Sequence, residues 1–276
     1  MMEIEKIPPL PNVVIRVMAY DYESASASAV QLSEIVAPDK SICAELLKIA
    51  NSAYYGRSGK IKNVKDAVTL LGLKAVKNLV IFISSLKLAS ALKGETFRKY
   101  LTEFPIFSAL ISMDLANALD LKSRRDDAFM YGLLHRIGMI MIALNKNDHY
   151  SLLIEQAEEN NFDLLQLELK AYKTDHQKVA DLVCRAWKLP GEFMEVVHGV
   201  SKSESEIRSS DPMIRIILMA DILARKGTGI KISKKDENLL SALFDTFDNG
   251  GKAQIAFNDG YLKLLKDHPF YSQTVA

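Results

Sequence analysis

The stretch Leu133-Leu134-His135-Arg136-Ile137-Gly138 sets an imidazole beside a guanidinium, and the two side chains support opposite chemistries. A neutral imidazole carries a lone pair that can bind a divalent metal or accept a proton. A guanidinium has no lone pair, stays charged and repels a metal held next to it, but it pairs well with phosphate or carboxylate. His135 and Arg136 therefore fit a metal ligand with a cation set against the metal, or an anion pocket. A third reading is structural, in which a histidine at a helix end caps backbone groups or meets the helix dipole. The chain has no glycine-rich Walker loop, no zinc-finger spacing, no Gly-x-Ser-x-Gly nucleophile motif and no recognisable nucleic-acid module.

The elements that must position these residues read as helices almost throughout. Asp39 can cap a helix carrying Ile42, Leu46, Leu47 and Ile49, and Asn63 one carrying Val64, Ala67, Val68 and Leu71, which Gly72 ends. A longer helix follows, with Leu73, Val76, Leu79, Val80 and Ile83 on one side. The pattern predicts further helices over about 96–119, 126–135, 140–145, 148–160, 163–172, 176–187 and 191–200, then 213–226, 236–248 and 253–266. No stretch alternates long enough to predict a strand. Pro105 should kink or restart its helix, Leu189-Pro190 should stop another, and Ser201–Glu206 reads as a linker.

Composition bounds the class. The 276 residues, 49% of them hydrophobic, are enough for a sizeable core. Thirty-five basic against thirty-four acidic side chains leave no global field to attract nucleic acid or anionic membrane. Apolar runs such as Leu79–Ile83 are far shorter than the roughly 20 residues a membrane span needs. The start Met1–Lys6 lacks the pattern of a signal peptide, so a cytoplasmic location is the expectation. Cys43 and Cys184 lie in apolar helical patterns and are expected to be reduced packing residues.

Three motifs in order, Ile7-Pro8-Pro9-Leu10-Pro11, Leu46–Gly56 and Ala67–Leu73, together with Trp187-Lys188-Leu189-Pro190, resemble the HDOD domain over about residues 5–200. The resemblance implies an all-α, HD-like bundle similar in fold to the HD and HD-GYP phosphohydrolases but generally without their complete metal site. It implies residues 1–205 as the HDOD domain and 206–276 as a helical extension packed on it. In Leu46–Gly56, Tyr54 and Tyr55 suit a packing role and Gly56 a turn, while Arg57–Lys62 forms a short basic loop.

Carried over residue by residue, the resemblance puts Phe107, before Ser108, where an active HD enzyme has its first histidine. His135 is retained, and Arg136 replaces the aspartate. His176 resembles the next histidine of the HD-GYP enzymes, with Ala180 for their usual glycine. His198 resembles the first member of a His-His pair whose second place is Gly199, and Asp221 resembles the terminal aspartate. The implied function is a non-catalytic bacterial signalling module without cofactor, working through a protein partner or a small phosphate-bearing ligand. The implied anion site uses Arg136 with His135, His176 and His198. The alternative is a metal-dependent phosphohydrolase acting on a nucleotide or cyclic dinucleotide, with one divalent ion on His135, His176, His198 and Asp221.

Overall fold

Side-chain caps cut the chain into helices where the sequence places them. In the computed structural model, which describes residues 7–52, 60–199 and 204–275, Asp39 accepts from the Ile42 N–H and Asn63 from the Asp66 N–H. These contacts satisfy amide groups that the first helical turn leaves without partners. The helices they open, α3 (Lys40–Ala50) and α4 (Val64–Leu71), follow two shorter ones, α1 (Asn12–Ala19) and α2 (Ala29–Val36), which periodicity did not single out. Gly72 ends α4 and α5 (Leu73–Ala89) begins at once, the two axes bent by 119°. Among the described residues there is no strand. Tyr54, Tyr55, Gly56 and Arg57–Gly59 lie outside them. Asn51 is described, and its side chain ties the end of α3 to the Ile61 backbone in both directions, at 2.8 and 3.0 Å.

Pro105 does interrupt its helix, and the mechanism is a widened turn. A short helix, α6 (Glu95–Phe97), runs through a π-helical segment, Arg98–Glu103, into α7 (Phe104–Ala118). There the Phe104 N–H reaches the Lys99 carbonyl, one residue further back than in an α-helix. The wider turn just ahead of proline accommodates its missing N–H. α7 is apolar on nearly every side, with Phe104–Ser112 all buried, as expected of a helix enclosed by others. It is flanked by α8 (Arg125–Leu134) and by α14 (Pro212–Gly227).

The next helix, α9 (Ile137–Asn160), is continuous in hydrogen bonding but leaves helical geometry at Lys146, between the two helices that the pattern predicts there. It packs on α11 (His176–Trp187), reached through α10 (Leu164–Tyr172), while α12 (Gly191–Gly199) precedes the undescribed 200–203. The expected linker is partly helical, since α13 spans Glu204–Arg208. α15 (Lys234–Phe244) is shorter than its pattern. The predicted helix over 253–266 is two helices, α16 (Gly250–Ala256) and α17 (Asp259–Leu264), because Asn258 caps the second at the Gly260 and Tyr261 N–H groups. The last helix is α18 (Pro269–Val275).

The stretch Lys122–Asn160 is long and apolar enough by length and composition to cross a bilayer. Most of it is buried inside the bundle, the pattern of a core helix, and its geometry breaks at Lys146. Cys43 and Cys184 are both free, and burial pushes the Cys184 thiol up to about 12, as befits a packing group.

α14 is where the C-terminal quarter meets the rest of the core. Met213, Ile216, Ile217, Met219 and Ile222 are all fully buried, and α14 packs along α7. Each such side chain contributes about 1.5–3 kcal/mol on burial. Their sum rivals the roughly 5–15 kcal/mol of net stability typical of a domain. A fragment ending at Ser205 is therefore expected to lose cooperative thermal unfolding and to bind a hydrophobic dye. A 1–205 fragment melting as sharply and as high as the full chain would contradict this packing account.

Candidate functional site

His135 and Arg136 occupy the corner between α8 and α9. His135 closes α8 with helical angles, Arg136 departs from them at φ −104° and ψ 20°, and α9 starts at Ile137. The corner lets two adjacent side chains turn toward the same neighbour, Asp221, in the middle of α14. Gly138, in the first turn of α9, brings a third element in. A β-carbon at that position would overlap the carbonyl oxygen of His176, so only glycine lets the start of α11 approach this closely.

Asp221 is the hub. Its Oδ1 accepts from Arg136 Nη2 at 2.6 Å and lies 3.2 Å from His135 Nε2, and its Oδ2 accepts from Arg225 Nε at 3.0 Å. The pairing of Asp221 with Arg225 one turn along α14 is one that sequence spacing suggests. Arg225 also forks onto Asp236 in the first turn of α15, with contacts of 3.2 and 3.1 Å, and Asp236 forms a capping box with Ser233. The Arg136 guanidinium stacks on the Phe104 ring, 3.9 Å from its centre. His135 Nδ1 donates to the Gly132 carbonyl at 2.9 Å. Both ring nitrogens thus face oxygen acceptors, so a charged ring serves both contacts and a neutral ring only one.

The Asp221 side chain is 7% exposed. Burial by itself would push its carboxyl up. Arg136, Arg225 and His135 outweigh that effect and hold the carboxyl far below the ordinary carboxylate value. The two arginines and the two aspartates balance in charge, which is what makes a buried ionic cluster tolerable.

The donor set does not fit a metal. Both Asp221 oxygens are engaged by cations, and the His135 nitrogens are committed to Gly132 and Asp221. His198 does not line the cleft at this centre; it lies 2.8 Å from Asp181 Oδ1. A β-carbon at Gly199 would overlap a methyl of Ile214, so the neighbouring position has no room for an imidazole. Among the described residues no three His, Cys, Asp or Glu side chains converge as metal ligands.

Phe107 is buried, but its ring packs on Tyr271 at 5.0 Å. The α7 side chain that reaches the centre is Phe104, one turn earlier, whose ring lies 5.8 Å from that of His135. The resemblance marked Phe107, and it is the helical register of α7 that puts Phe104 against the histidine.

His176 lines the same cleft as His135, Arg136 and Asp221, a cavity of about 480 Å³ between α9, α11, α14 and α15. Its Nδ1 donates to Glu168 Oε2 at 2.7 Å, and its backbone N–H donates to the same oxygen at 2.8 Å. Glu168 is fully buried, and its other oxygen accepts from the Tyr150 hydroxyl. The contact orients the ring and leaves Nε2 as its free nitrogen. Sequence reasoning missed Glu168, Tyr150 and Asp236. An acidic residue on the apolar pattern of α10 was the available signal for Glu168.

Removing the hub leaves Arg136 without a carboxylate and Arg225 with Asp236 alone. Asp221→Ala is expected to cost about 3–5 kcal/mol in urea unfolding at neutral pH. A loss under about 1 kcal/mol would mean the cluster behaves like an exposed pair. A carboxyl whose folded-state pKa lies below its unfolded value stabilises fully above that value, about 3.9, and loses the effect as pH falls below it. Acidification below about pH 4 should thus destabilise the native chain more steeply than it does Asp221→Asn. Parallel slopes would contradict the assignment.

The family model for the HDOD domain matches residues 7–202. An uncharacterised protein of Treponema pallidum (strain Nichols) is 24% identical over 228 residues, 80% of this chain. The chain spans only 43% of the length of that relative. Among solved structures, an HDOD domain protein of unknown function from Geobacter sulfurreducens superimposes with a TM-score of 0.74 at 17% identity, covering 96% of this chain and 92% of that one. A Shewanella amazonensis SB2B protein, proposed to be a phosphohydrolase, gives 0.72 at 20% identity, covering 99% and 97%. A Marinobacter aquaeolei VT8 protein, proposed to act in signal transduction, gives 0.73 at 21% identity, covering 98% of this chain and 59% of its own. At these identities the structures carry the fold alone, while the family match spans most of the sequence: this chain belongs to the HDOD domain family.

Proposed function

We propose that this chain is a regulatory module that keeps the HD-like bundle and has exchanged its metal chemistry for an internal ionic lock. The observation that supports this most is the capture of both Asp221 oxygens by Arg136 and Arg225, with His135 on the same carboxylate. A divalent ion here would have to displace a guanidinium from its carboxylate and sit against fixed positive charge. Such a module signals by what it binds, a protein partner or a small anionic ligand. The arrangement of His176 on the buried Glu168 favours the alternative of a single-metal phosphohydrolase, since a carboxylate behind an imidazole is how metal-binding histidines are oriented.

The purified chain is expected to show no phosphodiesterase or phosphatase turnover above background against cyclic di-GMP or linear nucleotides with manganese, iron or magnesium. Arg136→Asp alone should not create activity, because Phe104 and Gly199 still leave the shell incomplete. Turnover that needs a metal and vanishes in His135→Ala would replace the regulatory reading with the enzymatic one.

A further inference from the structure

The cleft beside the ionic lock holds more cationic capacity than its own carboxylates use. Arg136, Arg225, Lys231 and Lys235 line it, against Glu158, Asp163, Asp221 and Asp236. By number the charges balance, but the carboxylates are already engaged. Asp221 and Asp236 take the two arginines. Glu158 is 3.1 Å from Lys99, which lies outside the lining, and Asp163 Oδ1 caps α10 through the Leu165 N–H at 2.9 Å. Lys231 and Lys235 are exposed, and neither ammonium meets a carboxylate among the described residues. His176 adds a ring nitrogen, Nε2, that no contact among the described residues uses.

The same cleft has an apolar side. Phe162 lines it while 53% exposed, and the half-buried Leu165 and Leu239 line it too. An open aromatic ring and unpaired ammonium groups around about 480 Å³ suit a small molecule with a flat ring and an anionic end. Ammonium groups grip phosphate as point charges and need no metal to do so.

We propose that this cleft binds a phosphate monoester bearing a flat ring, of nucleoside monophosphate size, with its phosphate on Lys231 and Lys235 and its ring against Phe162. His176 Nε2 is the ring nitrogen left to hydrogen-bond the ligand. The inference rests on the metal-free reading of the centre and gives that module its ligand. It also moves the anion contact from Arg136, which Asp221 already occupies, to the two lysines.

The test is titration calorimetry of the full chain in EDTA with the four ribonucleoside monophosphates, and with inorganic phosphate and adenosine as separate arms. At least one monophosphate should bind saturably and more tightly than either fragment. Lys231→Glu and Lys235→Glu should each weaken it about tenfold or more, the loss of a charge-assisted contact. Phe162→Ala should weaken the monophosphate and leave inorganic phosphate unaffected. All three side chains are exposed, so unchanged melting temperatures are expected to show that the variants fold. No binding by the folded chain at millimolar ligand would overturn the proposal, as would binding indifferent to both lysines. Inorganic phosphate binding as tightly as any monophosphate would reduce the site to an adventitious ion only. Absence of both binding and turnover would remove this inference and leave the regulatory reading standing, whereas binding that needs manganese and ends in hydrolysis would remove both.

Discussion

A single buried carboxylate organises the centre of this molecule. Asp221 sits in the middle of α14, almost wholly out of solvent, and an isolated charge there would cost several kcal/mol. Its cost is offset by partners from two directions: His135 and Arg136 at the α8–α9 corner, and Arg225 on its own helix. Arg225 passes the requirement on to Asp236, so α15 is tied to the same cluster. Four elements are held in register by one chain of charge-assisted contacts, each stronger than a neutral hydrogen bond.

That cluster can hold the geometry of this all-α bundle by itself. A metal and its ligands fix helices relative to one another, and a guanidinium spanning the same carboxylate does so by directed N–H donors. Arg136 also stacks on Phe104, whose ring covers the guanidinium with an aromatic face. The close approach at Gly138 then packs the start of α11 against this corner. Chemistry and packing point the same way, which is the pattern expected of a consistent structure and not of a damaged one.

Much of the helical architecture was legible in the sequence because its punctuation is local. Asp39 and Asn63 cap the helices they precede, and Pro105 and Pro190 mark real interruptions. Lys146 falls in the gap that periodicity leaves between two predicted helices. The misreading at 253–266 is also local: Asn258 bonds two N–H groups of the following turn and splits one apolar pattern into two helices. α1 was missed because no side chain caps its start at Pro11, and α2 was missed although Ser28 caps it at the Gln31 N–H.

The site was legible in part. His135, Arg136, His176 and Asp221 do line one cleft, while His198 turns to Asp181, and Phe104 packs against His135 where Phe107 packs on Tyr271. Glu168, Lys231 ahead of α15 and Lys235 in its first turn could not be read from spacing, because only tertiary packing brings Glu168 to His176 and the lysines to the same cleft.

The measurement that bears most directly on the ionic lock is the divalent metal content of the chain after equilibration with excess manganese and exhaustive dialysis. The account predicts manganese at background, unchanged in His135→Ala. Manganese retained in stoichiometric amount, and lost in His135→Ala or Asp221→Ala variants that still fold, would contradict it.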